Sequence, residues 1–205
     1  MQNLINGAKK FKEEDYPKLQ EIFDKLKHSQ SPHTLFIGCS DSRLIPDLIT
    51  KSLPGELFVV RNVANIVPKY RLSDEYLATT SAIEFAILGL NIKNIVICGH
   101  SNCGGCRAIY LQSAIENMPH TKKWLEQSKS IVDSIDIDKY SSTDVLLREI
   151  EQRNIILQLE NILSYPFIEE RVKQRKIKIY GWYFEISSGS VYNYNKRKKV
   201  FERID

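Results

Sequence analysis

The 205-residue chain suits one domain with at most a short appendage, and with 42% apolar and 26% charged residues it can bury a substantial core. A formal net charge of +4 is too mild to point to nucleic acid. No run approaches the ~18 apolar residues of a membrane span, so neither nucleic acid nor a membrane is an expected partner. Residues 1–12 mix lysine, glutamate and amide side chains without the apolar centre of a secretory signal, and the expected location is cytoplasmic.

In chain order, Leu19, Ile22, Phe23 and Leu26 recur at helical spacing over residues 16–27, with Pro17 near the start. That helix carries one apolar stripe, suited to the core or to a partner subunit. Thr34–Ile37, closed by Gly38, predicts a buried strand. Leu57–Arg61 predicts a second, introduced by the turn signal Pro54-Gly55. Asp74–Leu90 predicts a helix with Leu77, Ile83, Ala86, Ile87 and Leu90 on one face. Asn94–Cys98 is a β-branched strand, and a helical stretch runs from Cys103 to about Ala114. Residues 116–142 are polar and irregular, a helix and a loop on the surface. Val145–Leu163 predicts a long helix, and Pro166 opens another to about Lys176. Ile177–Tyr180 predicts a strand. A turn at Ser188-Gly189 and a last strand, Val191–Tyr194, close a hairpin begun at Trp182 and Tyr183. Lys196–Lys199, the most basic stretch, reads as a solvated tail.

This alternation predicts an α/β fold: a mostly parallel central β-sheet flanked by helices, with an antiparallel edge hairpin at the C-terminus. Residues 1–29 form a helical arm whose apolar stripe suits the core or a partner subunit, and residues 30–205 form the α/β domain. Ligands of such sheets sit beyond the carboxyl ends of the strands. Cys39 and His100 each follow a strand directly, so both belong at that end.

The chain has four cysteines, Cys39, Cys98, Cys103 and Cys106, and three lie within nine positions. Clustered cysteines in a reducing compartment point to metal or redox chemistry. Cys39, His100 and Cys103 make a ligand set suited to zinc, and three protein ligands leave a fourth tetrahedral corner for water. Asp41 can reach the metal or its water, and Arg43 can grip that carboxylate in a planar fork and keep it ionised. Backbone N–H groups of Gly104 and Gly105 could hold a small anion. Against this stand plainer readings. Cys98 is a packed core residue, Cys106 a small packing residue near the site, and His28, His33 and His120 face solvent. Arg61 and Asn62 support a loop, while Trp182 and Tyr183 pack. A Cys103/Cys106 thiol oxidoreductase would leave Cys39, Asp41, Arg43 and His100 without a role. A structural zinc or nucleic-acid module would bring a fourth ligand and a basic aromatic surface.

Cys39-x-Asp41-x-Arg43 and His100-x-x-Cys103-Gly104-Gly105 resemble the two signatures of the β-class carbonic anhydrases. The likeness continues through Pro54–Asn65, Ser81–Ala86 and Gly181-Trp182-Tyr183, and spans roughly residues 30–195. The resemblance implies the β-carbonic anhydrase fold and reversible hydration of CO2 to bicarbonate and a proton. It implies one Zn2+ per subunit, held by Cys39, His100 and Cys103, with hydroxide formed on the metal and oriented by the Asp41–Arg43 dyad. Asp41 is itself a zinc ligand in one branch of the family. Gln30, Phe58 and Val63 fall where the family contacts substrate, and Gly104 and Gly105 would face bicarbonate. The implied partner is a second copy of the chain, as a homodimer or a dimer-based tetramer, with the 1–29 arm packing on the partner subunit and residues 30–205 as the zinc-binding catalytic domain. Phe85 stands where some members carry tyrosine. Phe36 stands where the bicarbonate-regulated branch carries tryptophan, although Gly38 and Arg61 match that branch. A hydrolase of carbonyl sulfide or carbon disulfide would share the same ligands.

Overall fold

A computed structural model describes residues 1–205 apart from 74 and 76. The chain opens with helices α1 (Gln2–Lys10) and α2 (Tyr16–Leu26), joined through a wider helical turn at Phe11–Asp15. Neither helix buries a residue. Tyr16 stacks on Phe23, and Phe11 meets Tyr16 edge-on. The anchor is Leu26, whose Cδ1 lies 2.6 Å from where a Cβ on Gly55 would stand. With φ at +90° as well, position 55 requires glycine on two counts.

Strand β1 (Thr34–Cys39) leads to the short helix α3 (Pro46–Thr50) and to β2 (Leu57–Asn62). Helix α4 (Ala78–Glu84) continues through a wider turn at Phe85–Gly89 into β3 (Asn94–His100). The helix expected from Asp74 thus begins at Ala78, and Asp74 itself lies outside the described residues. Then come α5 (Gly104–Tyr110), a tight turn at Gln112–Ile115, α6 (Pro119–Leu125) and α7 (Lys129–Asp133). The long helix α8 (Thr143–Ile162) starts on Ser142, whose side chain accepts from the Val145 N–H, and α9 (Pro166–Lys173) follows Pro166 as expected. The chain ends in β4 (Lys178–Glu185), β5 (Ser190–Asn195) and β6 (Val200–Arg203).

The six strands lie in the order β2-β1-β3-β4-β5-β6. β2, β1, β3 and β4 are parallel, and β5 and β6 are antiparallel. β1 and β3 sit inside the sheet and are almost wholly buried, which is why they read as unbroken apolar runs rather than alternating ones. One apolar layer places Phe36, Val96, Ile109 and Leu146 on one face. The other gathers Leu35, Ile37, Ile83, Ile97 and Ile168 on the opposite face. Helix α8 serves both layers, with Leu146, Leu147 and Ile150 in the first and Ile155, Leu159 and Ile162 in the second.

The expected parallel-centred sheet is present, with two corrections at its C-terminal edge. β4 runs on through Gly181-Trp182-Tyr183 to Glu185, because these residues pair with Ile97, Cys98 and Gly99 of β3. They therefore extend the parallel core rather than merely open a hairpin. Lys196–Lys199 is solvated but is no tail. It is the turn of a second hairpin, with Asn195 Oδ1 accepting from the backbone of Arg197 and Lys198. That turn returns the chain as β6, whose Phe201 packs on Tyr183 and Tyr194.

Candidate metal centre

The register of β1 and β3 sets Gly38 beside Cys98, so Cys39 emerges from the sheet beside Gly99 with His100 next along. Both strands end at the same edge of the sheet. After His100 the chain turns through Asn102, held at φ +56°, and Cys103 forms the cap from which α5 departs. Asn is among the few residues that take this left-handed conformation at small strain.

Three groups converge there. One ligand atom each from Cys39, His100 and Cys103 lies within 4.8 Å of the others, and all three residues are buried. Among the described residues this is the one such cluster of His, Cys, Asp or Glu that could hold a metal ion. The Cys39 and Cys103 sulfurs stand 3.8 Å apart. Two thiolates each about 2.3 Å from a tetrahedral centre stand roughly that far from one another. His100 Nδ1–H donates to the Ser101 carbonyl at 2.9 Å, which fixes the tautomer. Its Nε2 is buried without a hydrogen-bond partner. A buried imidazole lone pair left over beside two thiols is what a metal ligand needs and what a packed histidine would avoid. The residues present therefore fit a metal ion such as zinc.

Asp41 stands beside the cluster. Its carboxylate oxygen Oδ2 is 3.8 Å from His100 Nε2. Arg43 grips it twice, Nε on Oδ1 at 2.9 Å and Nη2 on Oδ2 at 2.8 Å, and the Arg43 backbone N–H adds a third bond at 3.0 Å. These bonds hold the Asp41 carboxyl well below the usual carboxylate range. Arg43 also donates to the Asn102 carbonyl at 3.0 Å, tying the two signature loops together. Asp41 is not part of the three-residue cluster, and its oxygens are taken up by Arg43.

The supporting shell comes from β2 and α8. Arg61 donates to the Cys39 carbonyl at 3.0 Å and the Asp41 carbonyl at 2.7 Å, which is the loop-supporting role expected of it. Asn62 bridges both backbone groups of Ile66, at 2.8 Å each. That bridge closes a tight turn in which Ala64 and Asn65 take φ of +62° and +46°. Trp124 Nε1–H donates to the Val63 carbonyl at 2.9 Å and fixes the same segment from α6. Helix α8 faces it with Asn154, Gln158 and Asn161, all buried, bonded to the Ala64 carbonyl, the Val67 N–H and the Val67 carbonyl. One turn earlier, the Glu151 carboxylate accepts from Cys103 N–H and from the Tyr183 hydroxyl, each at 2.9 Å. Burial pushes the Glu151 carboxyl up, against the two donors that favour its charged form.

The sequence missed this polar stripe. Its signal was there, since positions 151, 154, 158 and 161 recur at helical spacing. Polar residues at that spacing usually mark the solvated face, and here they mark a buried one.

The other candidate positions divide. Gly104 faces open space, whereas a Cβ on Gly105 would stand 2.9 Å from Ala64 Cβ and 3.0 Å from Val63 Cγ1. The glycine at 105 thus has a packing reason, and Val63 lies at the mouth of α5. Phe58 pairs with Leu35, four residues down the sheet from Cys39, or about 13 Å at strand rise. It touches Phe85 instead, ring centroids 6.1 Å apart. Gln30 is exposed in the connection before β1. The chain itself therefore sets Val63 at the start of α5, with Gly104 beside Cys103 in sequence, and leaves Phe58 four strand residues from Cys39 and Gln30 before β1. Cys98 and Cys106 are buried in the core, and His28, His33 and His120 are exposed, as expected.

Two expectations follow from this geometry. Gly105→Ala should destabilise the protein by about 1–3 kcal/mol, the usual penalty for overpacking, because backbone as well as side-chain atoms of Ala64 obstruct the new methyl. A denaturation midpoint lowered with an unchanged slope checks it. Metal capture should also depend steeply on pH. Without a metal, the hydrogen bond with Cys103 and then burial push the Cys39 thiol up to about 12, and Cys103 also lies well above its ordinary value, chiefly through Cys106. Both thiols therefore hold protons at neutral pH and must release them to bind a metal. Affinity should fall about a hundredfold per unit drop in pH. Burial lowers the His100 pKa, but Cys39, the Ser101 carbonyl and Asp41 raise it by more in total. A third proton therefore steepens the fall in acid. Chelator competition across pH 7–9 measures the slope, and a slope of one would show a thiol already ionised.

A parallel-centred α/β sheet carrying two thiols and an imidazole at its carboxyl end defines a candidate metalloenzyme site. The carbonic anhydrase family profile matches residues 34–191. The chain is 40% identical to a carbonic anhydrase of Helicobacter pylori, over 97% of this chain and 92% of that one. It is 37% identical to a carbonic anhydrase of Synechococcus elongatus, over 100% of this chain and 75% of that one. Among solved structures it superposes on the β-carbonic anhydrase CcaA with a TM-score of 0.91 at 36% identity, covering 100% of this chain and 92% of that one. Against one of two tetrameric β-carbonic anhydrases of Sordaria macrospora the TM-score is 0.83 at 29% identity, covering 94% and 95%. The chain belongs to the β-class carbonic anhydrases, a family of lyases.

Proposed function

We propose that the chain catalyses reversible hydration of CO2 to bicarbonate and a proton, with one zinc ion held by Cys39, His100 and Cys103. The observation that carries this reading is the orphaned His100 Nε2 facing two sulfurs 3.8 Å apart, with the Asp41–Arg43 pair alongside. A zinc ion bound there would lower the pKa of a water toward ~7 and make it nucleophilic near neutral pH. Asp41, kept ionised by Arg43, accepts the hydrogen bond that orients the attacking oxygen, so that its lone pair faces the carbon of CO2. Val63 offers CO2 an apolar surface at the mouth of α5, and the open backbone at Gly104 gives the bicarbonate anion an N–H donor. Stopped-flow CO2 hydration by the zinc-loaded protein, run beside carbonyl sulfide as a rival substrate, tests the assignment. Hydration no faster than buffer would sink it.

The same reading makes the protein an oligomer, a dimer or a dimer-based tetramer. Helices α1 and α2 bury none of their own residues, while Leu4, Ile5, Phe11 and Tyr16 stand exposed. Residues 1–29 act as an arm that covers a second copy, and Gln30 and Phe58 reach a neighbour's site rather than their own. Among the described residues no helix is long and apolar enough to cross a membrane. Four free thiols suit the reducing cytoplasm, which we take as the compartment. Removing residues 1–29 should shift the mass seen by light scattering to a smaller species. An unchanged mass would show that the arm does not hold the assembly.

A further inference from the structure

The peptide group joining Asn102 to Cys103 is held at both ends. Its carbonyl accepts from Arg43 Nη2 at 3.0 Å, and its N–H donates to Glu151 Oε1 at 2.9 Å. The second oxygen of Glu151 accepts from the Tyr183 hydroxyl at 2.9 Å. One unbroken run of hydrogen bonds therefore leads from Asp41 through Arg43 and this peptide to Glu151 and Tyr183. Glu151 is buried, and its hydrogen-bonded partners are these loop and strand donors. An ionisable group is seldom kept in such a place without a partner that needs it.

We propose that Glu151 is a positioning residue for the metal ligand Cys103: it fixes the turn that aims the Cys103 thiol into the cluster, and couples that turn to the Asp41–Arg43 pair. The proposal rests on the reading that this cluster holds zinc. Its physical basis is specific. Asn102 holds a left-handed conformation immediately before Cys103, so the orientation of the 102–103 peptide decides where the thiol points. An oxygen acceptor on the N–H makes the carbonyl a better acceptor for Arg43, because hydrogen bonds in series polarise one another, and the acceptor rather than its charge is what the turn needs. Neither bond touches the reacting atoms, so Glu151 acts through Cys103 and Arg43.

The test uses the full chain and the zinc ion alone as probe. E151D keeps the charge but ends one methylene short of the Cys103 N–H. E151Q keeps an oxygen within reach of it, and Y183F leaves that bond intact. Zinc affinity is read by chelator competition, and the ligand field by the visible spectrum of the cobalt-loaded protein. Each is set against the folded fraction from denaturation. We expect E151D to bind zinc roughly tenfold to hundredfold more weakly, with shifted cobalt bands, the usual range for a lost outer partner. E151Q and Y183F should stay within about threefold of the parent. Unchanged affinity and spectrum in folded E151D would overturn the proposal. So would a tenfold loss in E151Q, which decides the matter if E151D does not fold. A parent protein that binds no zinc defeats the metal reading itself. A parent that binds zinc while E151D matches it defeats only the role of Glu151.

Discussion

Alanine at His100 or Cys103 should strip the protein of its metal and of CO2 hydration together. Apparent zinc affinities of roughly 10–16 kcal/mol spread over four ligands assign about 3 kcal/mol to each, so losing one weakens binding on the order of a hundredfold. The loss should be worse for His100→Ala. Removing the ring leaves the Ser101 carbonyl without its donor and opens a cavity in a fully buried place. Cys103→Ala spares the backbone bond to Glu151, so its turn should survive and the variant should fold. Metal content after dialysis and stopped-flow hydration on the same sample decide the matter. Full activity in a variant shown to be metal-free would refute the ligand assignment.

Asp41→Asn should do the reverse, keeping the metal and losing the rate. An amide offers Arg43 one acceptor in place of two, and carries no charge to orient the attacking oxygen. A positioned proton acceptor typically contributes about 10²–10⁴-fold, and the fall in kcat/KM should lie in that range with zinc stoichiometry unchanged. Zinc lost along with activity would instead make Asp41 a ligand. The depressed Asp41 pKa also carries a stability consequence with a definite sign. The folded state favours the charged form, so the contribution is complete above about pH 5 and disappears as acid protonates the group.

The core of the fold was legible because β1 and β3 are buried on both faces and their neighbours are short turns. Apolar runs such as Thr34–Ile37 and Asn94–Cys98 have no other use in a chain of this composition. The candidate ligands Cys39 and His100 were legible because each stands just past such a run, and Cys103 by its His-x-x-Cys spacing from His100. The C-terminal edge was harder to read. Val200–Arg203 is short and half-exposed, and only its pairing with β5 makes it a strand. The buried face of α8 was hidden for a different reason. Glu151, Asn154, Gln158 and Asn161 look like a solvated stripe until the backbone of residues 63–67 and 103 is set against them, and no local pattern announces that contact. Gln30 and Phe58 mark a third limit, since nothing in one chain joins them to the cluster.

The position of β4 bears on how the protein is made. His100 pairs with Phe184, and the Ser101 N–H donates to the Phe184 carbonyl at 2.9 Å, so the turn carrying Cys103 leans on residues synthesised some eighty positions later. A nascent chain presents Cys39, His100 and Cys103 well before the strand that braces them leaves the ribosome. Parallel pairings of such long range form slowly. If the cluster holds a metal, its two thiols and imidazole therefore reach their final arrangement only once β4 has docked, and until then both thiols stay open to oxidation.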